Sequence, residues 1–219
     1  MKASIVIFDQ FTDIDLWLLW DLLKRVKRPD WEVRILGEGQ SHLSQTGIVI
    51  PTHGHLSEAN HADVVLFTSG PGTRVKIQDP HFLSHFKLDR EKQMIGAMCS
   101  GTLLLAALGL LTPGQKATTY PTAKKRLEDF GIHVVEEPFV SQGNVATAAG
   151  CLAAQYLIGW VIERFVGQAT RELVLKSIQP VGEGLSFAEE SLDQLYANPQ
   201  VSGSPQQSLN PIPREFQIP

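Results

Sequence analysis

Residues 93–110 read QMIGAMCSGTLLLAALGL: a short apolar run, then Cys-Ser-Gly, then a run of strong helix formers. Gln93–Met98 has the length and apolarity of a buried strand, and the stretch through Leu110 has the composition of a helix. The chain must turn sharply at Cys99, and Gly101 leaves room for the turn. This is the outline of a nucleophile elbow, although the G-x-S-x-G pattern is absent. A thiol at a helix N-terminus meets unpaired N–H groups and the positive end of the helix dipole, which favour the thiolate. The competing reading is a small buried core cysteine, since free Cys is among the residues most often buried.

The same alternation extends outward in both directions. Upstream, Ala3–Phe8, Trp31–Leu36 and Asp63–Phe67 read as strands, Ser41–Pro51 as a hairpin turning near Thr46-Gly47, and Ile14–Arg25 and Pro80–Leu88 as helices. Downstream, strands are expected at Ala117–Thr119, Ile132–Val135 and Val145–Ala148. Helices are expected at Pro121–Phe130, Cys151–Phe165 and Gln168–Ser177, with a short one at Phe187–Leu195. Short apolar strands separated by helices imply right-handed βαβ units. The fold class is therefore α/β: a flavodoxin-like, doubly wound, mostly parallel sheet with helices on both faces.

The 219 residues suit one core over residues 1–182. Residues 183–219 form an extension, rich in Pro, Ser, Gln and Asn from Asn198 onward, expected to be partly extended or docked on the core or on a partner subunit. Nineteen basic residues against 23 acidic give a net charge of −4 without a basic tract, so no nucleic-acid partner is expected. The apolar start is cut off by Asp9, and no later stretch reaches the roughly 20 apolar residues that cross a bilayer. A cytoplasmic protein with no membrane partner is expected. Its two cysteines, Cys99 and Cys151, are scattered in sequence and suggest neither a disulfide nor a metal site.

In an open parallel sheet the ligand crevice lies outside the carboxyl ends of the strands. Three segments converge there: Asp9–Asp15, Thr68–Thr73 and the turn after Met98. The Gly-rich Thr68–Thr73 loop matches no phosphate-binding fingerprint, but the Gly70 N–H could meet developing negative charge, whereas Pro71 has none to offer. Asp15 lies among apolar residues, a costly place for a carboxylate. It is either a first-turn residue satisfied by backbone N–H groups or a carboxyl whose pKa is raised by burial, able to carry a proton for Cys99. None of the seven histidines falls in these segments. Cys151, beside Ala148-Ala149-Gly150, reads as packing.

The strand-loop-helix series, Thr68-Ser69-Gly70-Pro71-Gly72-Thr73-Arg74, Ala97-Met98-Cys99-Ser100-Gly101 and the stretch from Gly109-Leu110-Leu111 to Ala117-Thr118-Thr119 together resemble the ThiJ/PfpI superfamily, over roughly residues 3–180. Within it, the residues around Asp15, Ser100 and GLLTPGQKATTYP (109–121) are most similar to the isocyanide hydratases. The resemblance implies that Cys99 is the nucleophile and that Asp15, from the loop after the first strand, meets it. It places Gly70, Ser100, Thr119 and Tyr120 at the substrate or its oxyanion. Protease-like members carry His directly after the cysteine, and many others carry His where this chain has Tyr120, so a Cys-His dyad is missing. Ser69 replaces a common Gly, and Trp17-Leu18 replaces a Thr-Gly.

The implied reaction is hydration of a small isocyanide to an N-substituted formamide through a thioimidate, with no metal or organic cofactor. Another cysteine hydrolase, a glyoxalase-like lyase or a non-enzymatic redox or ligand sensor are the alternatives. The helix at Ile14–Arg25 carries more apolar residues than one stripe needs, with Trp17 and Trp20 on a second face. A homodimer through that helix is expected, as the superfamily resemblance also implies.

Overall fold

Apolar runs with no polar side to show to water become strands only where both faces of the sheet are covered. Val64–Phe67 and Met94–Met98 are buried at every position. The computed structural model describes residues 1–188 and 190–196. In chain order its strands are β1 (Lys2–Val6), β2 (Glu32–Gly37), β3 (Ser41–Leu43), β4 (Val49–Pro51), β5 (Gly54–His55), β6 (Val64–Phe67), β7 (Met94–Met98), β8 (Lys116–Ala117), β9 (His133–Val134), β10 (Phe139–Gln142) and β11 (Val145–Ala148). The α-helices are α1 (Asp13–Lys24), α2 (Thr73–Lys76), α3 (Pro80–Ser84), α4 (Thr102–Ala107), α5 (Lys124–Glu128), α6 (Ala154–Val166), α7 (Gln168–Lys176) and α8 (Asp193–Tyr196).

Seven strands form one sheet in the order β10-β11-β7-β6-β1-β2-β5. All its pairings are parallel except that of β10 with β11. This is the expected doubly wound, mostly parallel architecture. From β1 the chain passes to β2 on one side and later to β6 on the other, so the order reverses beside β1. A crevice opens at the carboxyl ends there.

Several elements are shorter than expected. The helix opened by Cys99 begins with a 3-10 turn, Cys99–Gly101, and ends at Ala107, just before Gly109 takes up a left-handed φ of 70°. The helix at Pro80–Leu88 stops at Ser84. The hairpin forms as expected from β3 and β4, with Gly47 at φ 95°. Two strands escaped the sequence reading: β5, only two residues long, and β10, whose Phe-Val-Ser-Gln is too short and mixed to stand out.

The surplus apolar surface of α1 is partly covered within the chain. Leu16, Leu19, Leu22 and Leu23 are buried, and α1 packs on α6 as well as on β1 and β2. Trp20 is half-buried and stacks on His53, with ring centroids 5.2 Å apart. Trp17 stays 43% exposed. Of the extension, Leu195 is buried in the core, and the Pro- and Ser-rich residues 197–219 lie outside the described residues. No helix among the described residues is long and apolar enough to cross a membrane.

Candidate active site

Cys99 has φ 46°, in the left-handed region that costs an ordinary residue roughly 1–2 kcal/mol. Three contacts hold it there. A Cβ on Gly101 would sit 2.5 Å from the Thr68 carbonyl oxygen, so the turn closes tightly on the end of β6 only because residue 101 is glycine. The Thr119 hydroxyl donates to the Cys99 carbonyl at 2.8 Å. Ser100, buried, reaches across to the Gly70 loop, where its Oγ accepts from the Gly70 N–H at 3.3 Å. Thr119 thus fixes the elbow's backbone, and the Gly70 N–H is engaged by Ser100.

The two loops beside the elbow are bound to each other. The Thr12 N–H donates to the Ser69 carbonyl at 2.7 Å, and the Gly72 N–H to the Gln10 carbonyl at 3.3 Å. Gly70, at φ 143°, lies so close to the first loop that a Cβ would fall 2.2 Å from the Gln10 oxygen. This contact carries Asp15, in the first turn of α1, to the elbow. Asp15 is fully buried. Its Oδ2 accepts from the Ser69 hydroxyl at 2.6 Å and the Ser69 N–H at 3.2 Å, on another loop and not on its own helix. Its Oδ1 is buried without a hydrogen-bond partner.

Cys151 completes the cluster and corrects the reading of that residue as packing. It sits in the 3-10 turn Cys151–Ala153 at the start of α6, half-buried, and β11 delivers it to the same sheet edge as Cys99. A carboxylate oxygen of Asp15 and the sulfurs of Cys99 and Cys151 all lie within 4.8 Å of one another. Burial raises the Asp15 pKa, opposed by the Ser69 hydroxyl, the nearby Cys151 thiol and the Ser69 N–H. The Cys99 thiol is pushed well up, by its contact with Cys151 first, then by burial and the Asp15 charge, while the Gly150 N–H works the other way. The thiolate expected at the helix N-terminus is opposed by this crowding with two further acids.

A cleft of about 390 Å³ opens over the cluster, lined by both cysteines, Ser69, Gly70, Arg74 and Tyr120 among others. At its mouth Arg74 donates to the Thr122 hydroxyl at 3.0 Å. Tyr120, 46% exposed, also lines a neighbouring cleft of about 450 Å³, which runs past Lys124, Glu136 and Glu137 and holds no thiol. No histidine is among the described residues lining the cleft over Cys99. A thiol lining a small cleft, with a neutral-prone carboxyl buried beside it, can add S–H across an electrophilic carbon.

Residues 1–164 match the DJ-1/PfpI family. The chain is 25% identical to the isonitrile hydratase of Pseudomonas putida over 176 residues, 80% of this chain and 76% of that protein. It is 22% identical to the glutathione-independent glyoxalase DJ-1 of Schizosaccharomyces pombe over 190 residues, 81% of this chain and 98% of that one. In three dimensions a ThiJ/PfpI family protein from Pseudomonas syringae superposes with a TM-score of 0.74 at 21% identity, covering 83% of this chain and 76% of that one. The last likeness shows the fold.

Proposed function

The chain belongs to the DJ-1/PfpI family, and on that premise we propose that it is a cysteine-dependent enzyme of the cytoplasm that hydrates a small isocyanide to an N-substituted formamide. The observation that carries this reading is the buried Asp15 carboxyl within 4.8 Å of the Cys99 sulfur at a strand-to-helix elbow, with no histidine among the described residues lining the cleft. Amide hydrolysis needs a base that shuttles a proton to a leaving nitrogen, usually His. An isocyanide instead needs its terminal carbon protonated and attacked. The isonitrile hydratase relative supports the same choice. Two thiols kept free beside each other suit a reducing compartment.

The Cys99 sulfur bonds to the terminal carbon of R–N≡C, and that carbon takes up a proton from Asp15. The thiol proton passes to Asp15, so the sum is addition of S–H to give the thioimidate R–N=CH–S–Cys99. Water then adds to the same carbon, with Asp15 giving its proton to the nitrogen and taking one from the water. Collapse of that adduct expels the thiol and leaves R–NH–CHO. Burial suits Asp15 to the first step, because it favours the neutral acid. Gly70, Ser100 and Tyr120 line the cleft where the substrate would lie, and Thr119 acts on it through the backbone of Cys99.

The test is formamide release from cyclohexyl isocyanide, run beside conversion of a 2-oxoaldehyde to its hydroxyacid. Formamide is expected, none from Cys99→Ala, and kcat/KM from Asp15→Asn lower by roughly 10²–10⁴-fold. Hydroxyacid without formamide would move the chain to the glyoxalase side of its family. Formamide at the full rate from Cys99→Ala would overturn the mechanism.

A further inference from the structure

The sequence separates Cys99 from Cys151, and that separation is what argued against a metal site. Folding cancels it. Two thiols and a carboxylate, from the starts of three different helical segments, converge within 4.8 Å. In a tetrahedral zinc site with Zn–S near 2.3 Å and Zn–O near 2.1 Å, neighbouring ligand atoms lie roughly 3.5–3.8 Å apart. The three groups are therefore within about an ångström of ligating distance without any rearrangement of the fold. The carboxylate is also set in a ligand's orientation. Ser69 takes Oδ2 with both its hydroxyl and its N–H, and Oδ1, fully buried, is left with no hydrogen bond.

A buried oxygen without a partner is costly, and a buried carboxyl can ionise only beside a cation. Among the described residues of the cleft the one cationic side chain is Arg74, at the mouth. One soft dication would answer both deficits, because thiolates select thiophilic ions and a carboxylate can complete the set. We propose that Asp15, Cys99 and Cys151 form a three-ligand binding site for a thiophilic divalent cation of the zinc type, with the fourth coordination position open to the cleft. Binding displaces the protons the ligands carry. It also ties up the Cys99 sulfur, so the metal-loaded chain lacks its free nucleophile and metal competes with substrate.

Metal binding does not depend on turnover, and the test uses none. The full chain, stripped with a chelator and kept reduced by a phosphine, is titrated with Co²⁺ under argon and then with Zn²⁺ against a chromophoric chelator. One equivalent of cobalt is expected to give a thiolate-to-cobalt charge-transfer band that one equivalent of zinc abolishes. Cys151→Ser, at a half-exposed position where the fold should survive, is expected to lose that band's two-thiolate intensity. It should also weaken zinc binding by more than the roughly 10–100-fold that loss of an outer hydrogen-bonding partner costs. Asp15→Asn is expected to weaken zinc while keeping both thiolates on the cobalt. Absence of the band in the native chain, or zinc affinity unchanged in Cys151→Ser, would overturn the site. A chain that hydrates isocyanide and binds no cobalt keeps the proposed function and loses the site, and the reverse result loses the function alone.

Discussion

At the scale of single residues, charge placement away from the cleft makes a prediction of its own. His85 stands edge-on to His55 and to His81, with ring centroids 4.6 and 4.8 Å away, and its Nε2 is buried without a partner. Burial first, then the neighbouring His55 and His81, lower its pKa from 6.5, against the smaller pull of Glu38 and Asp79. A histidine depressed in the folded state contributes fully above the unfolded value, and its contribution is lost as pH falls below 6.5 toward the folded value. The melting temperature of the native chain should therefore fall on acidification more steeply than that of His85→Phe, which keeps an aromatic ring and cannot charge. Parallel curves for the two proteins would sink the idea. In the cleft, the residues alone left Cys99 open between a nucleophile and a core cysteine, and Asp15 between a capped first-turn residue and a buried proton carrier; the family resemblance is what joined the two, and the fold brings them together. Cys151 was not legible. Nothing local marks a cysteine ahead of an apolar helix, and only the pairing of β11 with β7 brings it beside Cys99.

At the scale of elements, the site depends on loops that touch through backbone. Gly70→Ala would add a Cβ 2.2 Å from the Gln10 oxygen at a φ of 143°. It should cost at least about 2 kcal/mol in urea unfolding. Gly143→Ala, left-handed at φ 62° with nothing near its Cβ, should cost only about 1 kcal/mol. Equal losses would show that the loop contact contributes nothing. The strands that read most clearly were those buried on both faces, since a continuous apolar run has few other destinations. Helix ends read poorly. The helix opened by Cys99 stops at Ala107 although Leu108, Leu110 and Leu111 continue the apolar run, because Gly109 turns the chain left-handed. The surplus apolar surface of α1 was legible as a surplus, but its partner within the chain, α6, was not.

At the scale of the whole molecule, Ile14 (44%) and Trp17 (43%) on α1 remain exposed, as do Leu152 (71%) and Tyr156 (48%) at the start of α6, which packs on α1. We expect a symmetric homodimer through this face. Light scattering should give twice the chain mass at micromolar concentration, and Trp17→Asp should weaken association by about 2 kcal/mol or more. Trp20 is engaged by His53, so Trp20→Asp should act chiefly on stability. A native chain that scatters as a monomer rejects the dimer. The order of the sheet also has a consequence in time. β1 must wait for β6, and β7 for β11, so most of the ladder closes between segments far apart in the chain. Such pairings form slowly, after local structure. Until β11 docks, Cys99 has neither Cys151 beside it nor a cleft around it. During synthesis it is an ordinary exposed thiol, and the nascent chain is more open to oxidation than the finished fold.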